Sequence, residues 1–150
     1  MHLRDFFDPT AVSLNLDGTT PDDLLAELVR LLRLDPRDSD TLVRILKRRE
    51  ELGSTGVGRG VAIPHGRSLV VANLRLAFGH HRTGVDYRAI DGKPVFNFFL
   101  IVAPPIEVAN QYLPVLGRIA QFIKEPDVPE RLDRLRSVEE FFQLLEEKGV

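Results

Sequence analysis

The stretch VFNFFLIVA, residues 95–103, constrains this chain more than any other. It is almost continuously apolar, rich in aromatic and β-branched types, and stopped by Pro104-Pro105. A strand with one wet face alternates polar and apolar side chains, and this one does not. It is read as a central strand covered on both faces. Such cover takes helices before and after a strand-rich middle. The expected fold is therefore α/β: a single-domain sandwich over residues 1–150, with a central mixed β-sheet flanked by helices on both faces. With 150 residues and 43% hydrophobic content, the chain can bury a core of that kind.

The flanking elements carry start and stop signals. Thr20-Pro21-Asp22-Asp23 places a hydroxyl N-cap, a proline at the first helical position and acids in the first turn. Leu24, Leu28, Leu31 and Leu32 follow at helical spacing, and Asp35-Pro36 is read as the end. A second helix is predicted from Ser39 to Leu52, closed by Gly53. Leu74, Leu76 and Phe78 alternate as a half-buried strand, and Asp91-Gly92 is a turn signal. Helices are expected over Asn110–Lys124, over a short piece near Pro129–Leu135, and after the capping box Ser137-Val138-Glu139-Glu140.

Composition excludes several classes of function. Twenty Lys and Arg against 22 Asp and Glu leave no basic field to recruit nucleic acid. The run Arg44-Ile45-Leu46-Lys47-Arg48-Arg49 reads mostly as a solvated helix face. Without cysteine there is no disulfide scaffold, thiol nucleophile or zinc-thiolate site. The first ten residues lack a signal peptide's apolar core, and no run reaches membrane-spanning length. A cytoplasmic domain without direct membrane insertion is expected.

Residues 53–68, GSTGVGRGVAIPHGRS, hold five glycines and one histidine set between a proline and a glycine. Successive N–H groups in such a loop can cradle an anion, or the glycines can simply serve tight turns. Nucleotide binding fails on context: the third glycine of the dinucleotide fingerprint is absent, the stretch follows a helix, and no Gly-Lys-Ser/Thr closes it. Pro64 stiffens the approach to His65, and Gly66 leaves the imidazole uncrowded. Arg67, two residues on, can bring a cation near a transferred phosphate. Upstream, Arg49 shares the helix face of Leu42, Ile45, Leu46 and Leu52. A guanidinium there either snorkels past the helix end or points at the loop carrying His65.

The segment LKRREELGSTGVGRGVAIPHGR resembles the active-site segment of the fructose/mannitol-type enzyme IIA domains of the bacterial phosphoenolpyruvate-dependent phosphotransferase system. The nitrogen-regulatory IIA proteins share it. The likeness continues through VDYRAIDGKPVFNFFLIVAP and into SVEEFFQLL. It implies that His65 is the phosphorylated histidine and Arg49 the family's arginine before the glycine loop. It also implies a histidine phosphocarrier protein as donor and a IIB domain as acceptor. Neutral imidazole has a lone pair for the attack, and phosphoryl transfer needs mainly positioning and charge stabilisation. The loop N–H groups including Gly66, the hydroxyls of Ser54 and Thr55, Arg67 and Arg49 are candidate ligands of the phosphate oxygens. The scheme needs no metal or organic cofactor.

Transport-type members carry a second histidine where this chain has Tyr112, which can donate a hydrogen bond but cannot hold an imidazolium charge. Pro114 is expected to disturb the first turn of that helix. These departures favour a nitrogen-regulatory or divergent IIA over a dedicated sugar carrier. Two other readings stand beside it. One is a protein-binding module, with a regulatory kinase or transporter as partner, in which phosphotransfer is weak or lost. The other is a hydrolase pairing Ser54 or Ser68 with His65, although neither serine sits in a nucleophile elbow. His80-His81 at a strand's end make a poor metal pair, and His2 lies in a terminus.

Overall fold

In the computed structural model, which describes residues 1–150, the apolar run forms strand β6 (Val95–Ala103) in the middle of the sheet. The remaining strands are β1 (Phe7–Ser13), β2 (Gly56–Gly58), β3 (Val61–Ala62), β4 (His65–Arg67) and β5 (Arg75–Val85). The order is β1-β5-β6-β3-β2, with β4 also paired to β6. Strands β3 and β4 run parallel to β6, β1 runs parallel to β5, and β5 is antiparallel to β6. The sheet is mixed, as expected.

Alternation along β6 divides the core in two. Phe99, Ile101 and Ala103 face the layer formed by α3 (Tyr112–Lys124), α4 (Val128–Asp133) and α5 (Val138–Glu147). Phe98, Leu100 and Val102 face α1 (Pro21–Arg30) and α2 (Pro36–Glu51). Each fully buried side chain of this size contributes about 1.5–3 kcal/mol. The two faces thus need their helices equally, and the sandwich follows from one strand's composition.

Three caps form where a side-chain oxygen accepts an early N–H. Thr20 takes the Asp23 amide at 3.1 Å, Asp35 that of Asp38 at 2.9 Å, and Ser137 that of Glu140 at 3.1 Å. The second corrects the sequence reading. Asp35-Pro36 does not end α1; it caps α2, which starts at Pro36 and not Ser39. Pro114 does not disturb α3 either. It occupies the third helical position, where an N–H has no partner within the helix. Leu52 lies past the end of α2 and is 84% exposed, so it is not part of the inward face. Strands β1, β2, β3 and β4 were not expected, and β5 runs on through His80 and His81 to Val85.

Candidate functional site

The site is built on one edge of β6. Val61 and Ala62 pair with Asn97 and Phe98, while His65, Gly66 and Arg67 pair with Ile101, Val102 and Ala103. The offset is 36 residues throughout, so β3 and β4 are one strand interrupted at Pro64 without a slip. Pro64 has no N–H to donate, but its carbonyl still accepts the Ile101 amide at 3.0 Å. His65 is therefore held on a strand, not on the glycine loop as expected.

Residues two apart on a strand share a face. His65 and Arg67 lie beside Ile101 and Ala103, which point to the α3 layer. Gly66 lies beside Val102 and faces α2, where a Cβ would stand 3.4 Å from Leu46 and 3.6 Å from Ile45. Its bareness lets α2 approach the strand closely.

Nδ1 of the half-buried His65 ring lies 2.6 Å from the Ile63 carbonyl oxygen. A carbonyl only accepts, so Nδ1 carries the proton and donates it; the tautomer is assigned from this hydrogen bond. The lone pair then belongs to Nε2. Tyr112, at the start of α3, sets its ring 6.2 Å from the imidazole between centroids, tilted by 57°. The aligned position inferred from sequence does adjoin His65. The guanidinium of Arg67 lies over the Tyr112 ring, 4.4 Å from its centroid, and donates to Pro104 O at 2.9 Å. Burial raises the pKa of the Tyr112 phenol, and the nearby positive charges of Arg67 and then Arg49 oppose the rise.

Arg49 finds its partner at its own helix end, donating to Gly53 O at 2.7 Å. The hydroxyls of Ser54 and Thr55 are not free to face an incoming anion. Ser54 donates to Tyr87 O at 2.7 Å and accepts from Gly56 N–H at 3.0 Å. Thr55 is buried, its hydroxyl bonded to Glu50 Oε1 and its N–H to Glu50 Oε2 at 3.1 Å. These bonds clamp the glycine hairpin to the end of α2. Glu50 was overlooked because an acid beside Arg49 reads as another solvated charge; its offset of five residues from Thr55 was the available signal. Glu107 was also overlooked. It accepts the Tyr112 N–H at 2.7 Å, supplying the side-chain cap that Gln111 does not.

His80 and His81 are occupied elsewhere. His80 Nδ1 lies 2.8 Å from Asn97 Oδ1, whose amide donates to Asp133 at 2.8 Å. His81 Nδ1 accepts from the Gly84 N–H at 3.1 Å. No helix is long and apolar enough to cross a membrane.

Comparison with known proteins shows the family. The profile of the family described as "Phosphoenolpyruvate-dependent sugar phosphotransferase system, EIIA 2" matches residues 5–148. The chain is 30% identical over 146 residues to the nitrogen regulatory protein of Bradyrhizobium diazoefficiens, covering 97% of this chain and 95% of that one. It is 28% identical over 134 residues to the fructose-specific EIIABC component of Bacillus subtilis, covering 88% of this chain but only 21% of that longer protein. The crystal structure of the nitrogen regulatory protein IIA-Ntr from Neisseria meningitidis superposes with a TM-score of 0.85 at 31% identity, over 94% of this chain and 97% of that one. The family match spans almost the whole length, and the chain belongs to the EIIA type-2 family of the phosphoenolpyruvate-dependent phosphotransferase system.

Proposed function

We propose that this chain is a phosphoryl carrier that accepts the group on Nε2 of His65 from a histidine phosphocarrier protein in the cytoplasm. It then passes the group to a IIB domain or uses it as a regulatory signal. The observation that carries the reading is the Nδ1–H bond to Ile63 O, which leaves Nε2 as the only ring atom with a lone pair. In the transfer, that pair forms the new N–P bond while the donor's N–P bond breaks and its electron pair stays on the donor ring. The carbonyl of Ile63 cannot take a proton, so the His65 ring keeps Nδ1–H and becomes a phosphoimidazolium. Its N–P bond breaks readily when the next nucleophile attacks. Arg67 offsets the negative charge that arrives, and Arg49, bonded to Gly53 O, adds only its long-range positive charge. The nitrogen-regulatory role is favoured, because the relatives this chain matches over nearly their whole length carry that description.

The test is labelling from phosphoenolpyruvate through the upstream enzyme and its phosphocarrier protein. The wild type takes up an acid-labile, base-stable label and His65→Ala takes up none. An unlabelled wild type with a verified cognate donor rejects the proposal.

A second reading, a contact module with weak or lost phosphotransfer, draws support from the side chains around the site. Leu69, Ile106, Val108 and Leu113 are largely exposed on the segments that carry Arg67 and Tyr112. Equal capture of a regulatory kinase or transporter by wild type and His65→Ala favours it.

A further inference from the structure

The sequence suggests one use for Tyr112, a hydroxyl that hydrogen-bonds the phosphoryl group. The arrangement around it points to another. His65 and Arg67 project from the same face of β4, and Tyr112 spans both, 6.2 Å from one ring and 4.4 Å from the other's guanidinium. Arg67 is held at two points, by the Tyr112 ring and by Pro104 O. Only one of its five N–H donors goes to that carbonyl, so the fork keeps donors for a second acceptor. Arg49, by contrast, comes from the opposite layer, and Gly53 O already holds it.

We infer that Tyr112 is a positioning residue for Arg67: the face of its ring, not its hydroxyl, holds that guanidinium beside His65, so that a permanent cation meets the phosphoryl oxygens there. The inference rests on the proposed phosphoryl transfer to His65. The attraction is that of a cation for the negative face of an aromatic ring, which tyrosine and phenylalanine both provide and leucine does not. A planar guanidinium suits a phosphoryl group by pairing two donors with two oxygens. It also stays charged across the pH range in which an imidazole at position 112 would titrate.

The test needs no protein partner. Phosphoramidate donates its phosphoryl group to His65: its N–P bond breaks, ammonia leaves with the electron pair, and the Nε2–P bond forms. The initial rate is followed by 31P NMR. Tyr112→Phe is expected within twofold of wild type, while Tyr112→Leu and Arg67→Met each fall by about tenfold, the loss of one charge-assisted contact. The double variant Tyr112→Leu/Arg67→Met is expected to react no more slowly than Arg67→Met alone, since the ring acts only through the guanidinium. A Tyr112→Phe rate as low as that of Tyr112→Leu overturns the inference alone, and so do multiplicative losses in the double variant. A wild type that takes no phosphoryl group overturns both the inference and the reading beneath it. If Tyr112→Leu does not fold, the Arg67 Nε–Hε resonance decides between wild type and Tyr112→Phe. A rigid signal in both supports the ring, and a signal averaged only in Tyr112→Phe removes it.

Discussion

Nδ1 of His65 donates to the carbonyl of Ile63, two residues back along the same strand edge, at 2.6 Å. Because that bond fixes the tautomer, the phosphoryl group is expected on Nε2. Nitrogen-15 NMR of the labelled protein should show Nδ1 still protonated and Nε2 substituted. A group found on Nδ1 means the Ile63 bond breaks before reaction, and the account of the nucleophile goes with it.

The bonds of Thr55 to Glu50 hold the hairpin that leads into β3 and β4. Thr55→Val keeps the shape and the N–H bond to Glu50 Oε2 but leaves Oε1 without its hydroxyl donor, at a cost of about 1–3 kcal/mol. Thr55→Ser restores the hydroxyl and is expected to recover most of that loss in urea titrations. Equal stability of the valine and wild-type proteins removes the clamp from the account.

Two glycines separate packing from propensity. A Cβ at Gly56 would meet Ala89 at 2.7–2.8 Å, with backbone involved, so Gly56→Ala is expected to cost about 1–3 kcal/mol. Gly117 lies on the exposed side of α3 with nothing within 4 Å of such a Cβ. Gly117→Ala is expected to gain about 1 kcal/mol from helix propensity. Thermal melts of the two variants should move in opposite directions.

Tyr87 is 1% exposed, and its hydroxyl has no hydrogen-bond partner. Burial pushes its phenol far above the ordinary value of 10.0, and the neighbouring Glu50 carboxylate adds to the shift. The unfolded chain releases this proton near pH 10 and the folded chain does not. Stability from this group is therefore intact below pH 10 and declines above it. Tyr87→Phe is expected to gain about 1 kcal/mol at neutral pH by removing an unpaired buried group. The advantage should widen between pH 10 and 11. A variant less stable than wild type at both values shows that the hydroxyl has a partner after all.

The sandwich and its central strand were legible because β6 carries both periodic faces in its own composition. His65 stands out in the sequence because few contexts place an imidazole between Pro64 and Gly66, and the resemblance attaches a chemistry to it. What escaped the sequence was pairing. Strands β2 and β4 are three residues each and exist only because β3 and β6 lie alongside. Ser54 and Thr55 looked available beside so many glycines, but their partners Glu50 and Tyr87 come from a helix end and a distant loop. The partners of Arg49 and Arg67 depended on which face of the sheet each reaches, and no linear pattern reports that. Asp35 was misread for a local reason: an Asp-Pro pair can stop one helix or start the next, and the two helices are only five residues apart.

The unbroken 36-residue register through Pro64 ties the backbone of His65 to the central strand of the sheet. Esterification of a flexible loop can redraw an outline, but addition to a ring anchored in this way leaves the main chain where it was. Any partner that tells the two forms apart must then sense surface potential on an unchanged contour. The gap between its affinities for them should accordingly shrink as ionic strength rises.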